Sequence, residues 1–147
     1  MASAFVFSVL SGCDDTNNSK PSELRKVLST KCSMDSINGD RALVVYADGG
    51  AASFSGWAVD SNSITTPPLL NIVLTGASGK SFIFEGAARY DRPDVVNAHK
   101  QDKYLHSGFT IKADISAVEK NTYSVSLQMP STSSLITCKT NKVIVLK

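Results

Sequence analysis

Apolar and polar residues alternate with period two along most of the chain, which is the pattern of half-buried strands. Residues 32–37 form a short run of this kind, closed by the turn signal Asn38-Gly39-Asp40. Residues 42–47 (ALVVYA) are β-rich and end at Asp48-Gly49-Gly50. Residues 52–59 put Phe54, Gly56 and Ala58 on one face, and Ser53, Ser55, Trp57 and Val59 on the other. Residues 60–68 read as a loop ending in Pro67-Pro68. Residues 69–75 and 81–85 flank Gly76-Ala77-Ser78-Gly79-Lys80 and predict a hairpin. Phe109, Ile111, Ala113 and Ile115 share one face, and Glu119-Lys120-Asn121 makes the next turn. Tyr123, Val125, Leu127 and Met129 resume the alternation, followed by Leu135, Ile136 and Cys138 and by residues 143–146.

Two segments carry helical signals. In residues 22–28, Ser22 can cap, Glu23 suits a first turn, and Leu24, Val27 and Leu28 share a helical face. In residues 91–98, Asp91 can cap, Pro93 is tolerated early and Asp94 favours the first turn. The pattern predicts an all-β fold. It is an antiparallel Ig-like β-sandwich of seven to nine strands, with one short helix near residues 92–98.

The first thirteen residues, MASAFVFSVLSGC, follow a different rule. An apolar stretch ends in Leu10-Ser11-Gly12-Cys13, and the composition then switches to Asp14-Asp15-Thr16-Asn17-Asn18. The run has the length of the apolar region of a secretory signal, too short to span a bilayer. Leu10 to Cys13 is similar to a bacterial lipobox, in which two small residues precede the cysteine that receives lipid. The expected organisation is therefore a signal-like segment over 1–12, a polar tether with a possible short helix over 13–31, and a sandwich over 32–147. The alternative is an N-terminal strand or helix packed on the core.

Composition narrows the function classes. The 147 residues are 42% hydrophobic and 19% charged, with a formal net charge of +2, so general disorder is excluded. No basic cluster exceeds Arg25-Lys26, so nucleic acid is not an expected partner. No apolar run reaches the roughly 18 residues of a spanning helix. Of three cysteines, lipidation of Cys13 would leave Cys32 and Cys138, an even pair in an oxidising compartment. They can form a disulfide between the first and last strands of the sandwich, or remain two buried thiols.

Ser55-Gly56-Trp57-Ala58-Val59-Asp60, Arg92-Pro93-Asp94-Val95 and Ser107-Gly108-Phe109 occur in that order, preceded by Asp35-Ser36-Ile37-Asn38-Gly39. Together they resemble a small β-sandwich domain of bacterial envelope proteins, found also on the extracytoplasmic ends of some membrane glycosyltransferases. The resemblance spans roughly residues 32–146. It implies a non-catalytic accessory module with no transferable active site.

Motifs with chemical content give little. Gly76-Ala77-Ser78-Gly79-Lys80-Ser81 would need glycine at position 74 to be a phosphate loop, and that residue is Leu74. His99 and His106 lack a metal-ligand spacing, so no metal and no cofactor is expected, and both read as exposed loop residues. No serine sits in a G-x-S-x-G elbow. An enzyme would require Asp60, Asp91, Asp94 and His106 to converge in one pocket. Arg92 is expected to pair with Asp60 or Asp91, and Asp94 to bond the helix start.

Trp57, Tyr90, Arg92, Asp94 and Tyr104 form the candidate binding surface. The expected function is an extracytoplasmic, lipid-anchored, non-catalytic protein-interaction module, its sandwich monomeric. Its partner would be an envelope protein or a surface glycan, with the lipid fixing it to the membrane. The alternatives are a carbohydrate-binding module that stacks sugars on those aromatics, and a phage or mobile-element lipoprotein that blocks a receptor or DNA entry.

Overall fold

The period-two alternation becomes strands whose apolar sides meet between two sheets. The computed structural model describes residues 24–147. Its strands are β1 (Arg25–Leu28), β2 (Cys32–Ile37), β3 (Val44–Ala47), β4 (Ala51–Ala58) and β5 (Asn71–Gly76). They continue with β6 (Ser81–Phe84), β7 (Ala88–Tyr90), β8 (Gly108–Asp114), β9 (Thr122–Pro130) and β10 (Ser134–Leu146). A helix, α1 (Pro93–His99), and a 3-10 helix (Asp102–Ser107) lie between β7 and β8.

One sheet has the order β2-β4-β8-β7. The other has the order β1-β10-β9-β5-β6, with β3 also on β10. The fold is the expected all-β sandwich, with ten strands among the described residues. Both β1 and β3 run parallel to β10, beside residues 134–137 and 143–146 respectively, and the remaining pairings are antiparallel. A register shift between Lys139 and Val143 joins the two halves of β10 into one long strand.

Phe54, Phe109, Met34, Ile37, Ile72, Leu74, Leu127 and Ile144 are fully buried between the sheets. In β4 Ala52, Phe54, Gly56 and Ala58 are buried, and the last three are the residues that the sequence pattern groups on one face. Asn38 and Gly39 both take positive φ, of 53° and 76°, and Ile37 and Asp40 exchange backbone hydrogen bonds across them. This is the two-residue hairpin that Asn-Gly favours. Residues 76–80 close the β5–β6 hairpin as expected, so Lys80 belongs to a turn between strands.

Two expectations change. Residues 25–28 are a strand and not a helix. Val27 packs against the core while Leu28 stays exposed, and the Arg25 and Ser29 amides donate to the Ser133 and Thr137 carbonyls. One apolar contact and a free edge on β10 outweigh a helix too short to hold itself together. Residues 102–107 form a second short helical element, absent from the expected pattern. The apolar segment, Cys13, residues 13–23 of the polar tether and the expected caps Ser22 and Glu23 lie outside the described residues, while β1 falls in the remainder of the tether.

Candidate functional site

Arg92 organises the sandwich end that holds the helix. Pro93 occupies the first position of α1, where a missing N–H costs nothing, and leaves Arg92 as the residue that enters the helix. The Arg92 guanidinium forks onto Asp94, with Nε to Oδ1 at 2.8 Å and Nη2 to Oδ2 at 2.7 Å. Its Nη1 donates to Asp35 Oδ2 on β2 at 2.8 Å and, more weakly, to the Gly56 carbonyl on β4 at 3.4 Å. The guanidinium therefore fastens α1 to two strands of one sheet. Asp60 and Asp91, its expected partners, are engaged elsewhere.

The charges follow the geometry. The fork from Arg92, opposed by partial desolvation, draws the Asp94 carboxyl down to about 2. The same contact, again against desolvation and joined by Asp35, raises Arg92 above the ordinary arginine range.

The pieces of the sequence pattern converge here. A Cβ on Gly56 would stand 2.0 Å from the Ser33 carbonyl oxygen and 3.0 Å from the Phe109 ring. A Cβ on Gly108 would stand 2.7 Å from the Tyr90 ring and 2.8 Å from Arg92 Cγ. Both glycines are thus required by close approach of neighbouring groups. Gly56-Trp57, Arg92-Pro93-Asp94 and Ser107-Gly108-Phe109 meet at one staple, contributed by two strands, β4 and β8, and the helix entrance.

The aromatic residues separate. Trp57 is half-buried, and its ring lies 5.1 Å from that of His99 on α1. Tyr104 is only 3% exposed and packs with Val59 and Val95, with its ring 6.0 Å from His99. Placing Tyr104 on the binding surface is therefore corrected. The 3-10 helix turns it inward, where it fills the space under α1. Tyr90 is 39% exposed and remains on the surface. His99 belongs to α1 and is half-buried, while His106 is exposed and bonded to Asp91.

Asp60 is buried in the loop after β4. Burial raises its carboxyl, but hydrogen bonds from the Ser63 hydroxyl and from Asn62 outweigh this and hold it below its ordinary value. Asp60 and Asp94 line different recesses, and Asp91 and His106 line neither. No group of three potential metal-ligating side chains occurs among the described residues.

Sequence reasoning missed Arg89. From β7 its guanidinium donates to the carbonyls of Pro67 (3.1 and 2.7 Å), Ala58 (3.0 Å) and Ser107 (2.8 Å). Burial pushes its pKa down to about 10, so it stays charged at neutral pH. An arginine inside a short polar run has no period that marks it as buried. Beyond Pro67, residues 60–69 and 130–136 enclose an open, mainly apolar groove of about 720 Å³.

Cys32 on β2 and Cys138 on β10 form a disulfide that joins the two sheets, with Cα atoms 6.4 Å apart. No family model matches the chain, and no curated protein matches it.

Proposed function

We propose that the chain is a non-catalytic, lipid-anchored module of the bacterial envelope whose sandwich binds another envelope protein. The observation that carries the reading is the Cys32–Cys138 pair, which bridges the sheets over a sequence separation of 106 residues. Such a bridge persists in an oxidising compartment. The lipobox-like Leu10-Ser11-Gly12-Cys13 supplies the anchor, and no helix among the described residues is long and apolar enough to cross a membrane.

The contact surface is the α1 end, where Tyr90, the exposed edge of Trp57 and the Arg92–Asp94 fork lie together on a stapled scaffold. Exposed aromatics beside a charged rim are the ordinary composition of a protein interface. Sugar stacking has less support, because Tyr104 is packed inward and Trp57 has His99 against its ring.

The test is twofold. Full-length protein is labelled with a radioactive fatty acid in cells and compared with the Cys13→Ala variant. Label lost with the variant, together with release from the membrane fraction, supports the anchor; label on both variants or neither rejects it. Detergent-solubilised envelope is then passed over the oxidised full chain and over its Tyr90→Ala variant. A protein retained by the first and lost by the second supports the interface. Retention by both, or by neither, removes the α1 end from the reading.

A further inference from the structure

A second recess lies beside the staple, and its charges do not balance. It measures about 450 Å³ and is lined by Ser33, Asp35, Arg41, Arg92, Asn141 and Lys142, with Asp94 at its rim. Arg92 already holds both carboxylates, and Asp35 also accepts a hydrogen bond from the Ser33 hydroxyl. Arg41 makes no ion pair among the described residues. Lys142 is only 4% exposed, yet its Nζ contacts no carboxylate and donates to the backbone carbonyls of Arg41 and Ala42.

An ammonium has three donors, and two of those of Lys142 are accounted for. A buried cation without a counter-charge is costly. The recess therefore holds three cations against two carboxylates that are already paired. Its walls come from β2, the loop before β3, the register shift of β10 and the entrance of α1, so the fold sets its shape.

We propose that this recess binds an oxyanion, a carboxylate or phosphate group on a small polar ligand. The Lys142 ammonium and the Arg41 guanidinium provide the charge, and the Asn141 amide lies beside them. Arg92 contributes field and shape while it remains clasped by Asp35 and Asp94. Charge-assisted hydrogen bonds of this kind are the strong ones. Oxyanion binding here requires neither the lipid anchor nor Tyr90, although the Arg92–Asp94 fork borders both the recess and the Tyr90 surface.

The test is an amide NMR titration of the oxidised full chain in detergent, with D-glucuronate, inorganic phosphate and neutral glucose as probes. Saturable shifts of the Ser33, Arg41, Asn141 and Lys142 amides with glucuronate or phosphate, and none with glucose, support the proposal. The anion that binds more tightly assigns the group. Arg41 is exposed, so Arg41→Gln should fold normally and weaken binding roughly tenfold. Asp94→Asn removes a negative charge from the rim and should tighten it. No saturable shift with either anion, equal shifts with glucose, or unchanged affinity in Arg41→Gln overturns the site.

Discussion

Arg92 at the entrance of α1 donates to Asp35 on β2 at 2.8 Å, across 57 positions of sequence. The Arg92 side chain is 16% exposed and that of Asp35 36%, so the pair is partly shielded from water. Replacing Arg92 by alanine removes this bond and the fork to Asp94, and frees α1 from the sheet. The expected cost is about 1–3 kcal/mol in urea unfolding. Arg92→Lys should recover only part of it, because an ammonium cannot reproduce the planar fork. Wild-type stability in both variants would mean that α1 is held by its apolar contacts alone.

The same fork gives the acid limb a predictable sign. Asp94 titrates near 2 in the folded chain, below the ordinary aspartate value of about 3.9. The unfolded chain therefore takes up its proton first as pH falls. The Asp94 contribution is fully present above about pH 4 and is lost progressively toward pH 2. Asp94→Asn should flatten that part of the stability–pH curve and leave the neutral region unchanged in slope. Unfolding midpoints measured from pH 5 to pH 2 decide it; parallel curves for the two proteins would reject the linkage.

Cys32 and Cys138 join the sheets near the same end. Closing a loop of this length stabilises by about 4–5 kcal/mol in the chain-entropy model, with smaller values common. The double variant Cys32→Ser, Cys138→Ser should lose stability on that scale while keeping its strands. Guanidinium unfolding with and without a reductant provides the check. Reduction of wild type should approach the double variant, and a reductant should not change the variant itself. An oxidised wild type no more stable than the variant would exclude a stabilising bridge.

Gly108 and Gly56 predict two different kinds of damage. At Gly108 an added methyl meets side chains, Tyr90 and Arg92, which can move if the staple opens. At Gly56 it meets the backbone carbonyl of Ser33 within the β2–β4 pairing, which cannot. Gly108→Ala should therefore cost about 1–3 kcal/mol, and Gly56→Ala more. Combining Gly108→Ala with Arg92→Ala should cost less than the sum, since the second change removes one of the clashing groups. Strict additivity would disconnect Gly108 from the staple.

Period-two alternation made most of the sandwich legible, because a strand half-buried in a sheet writes its inward face into local sequence. Asn38-Gly39 gave a turn for the same reason: its chemistry is local. What escaped was set by partners far along the chain. β1 has one inward residue, Val27, and exists because β10 offers an edge. Tyr104 resembled a surface aromatic until the 3-10 helix turned it under α1. Arg92 and Asp94 were legible as structural residues at the helix entrance, but not as each other's partners: Asp60 and Asp91 were the expected acids for Arg92, and Asp35 was recognisable only as a neighbour in the pattern, with no signal that it would be the distant acceptor. Lys142 gave no sign of burial, because a lysine at a strand irregularity reads as solvated.

Arg89 extends this to the opposite wall of the helix end. It joins β7, the end of β4, the residue before β8 and the loop at Pro67 through carbonyls alone, and its Nη2 also contacts the Met129 sulfur on β9 at 3.4 Å. No carboxylate offsets its desolvation, so its worth lies in the carbonyls that would otherwise be unpaired. Arg89→Met keeps the apolar stem and leaves those carbonyls without a donor, at an expected cost of about 2–5 kcal/mol. Arg89→Lys should recover part of this, since one ammonium can reach some of the carbonyls but not all. The loop should loosen before the sandwich does: hydrogen exchange at Ala87, which donates to the Leu70 carbonyl beside this loop, should accelerate more than at Leu127 in the core. Unchanged stability together with unchanged exchange at Ala87 would show that the carbonyls find water instead, and that Arg89 does not hold the groove wall in place.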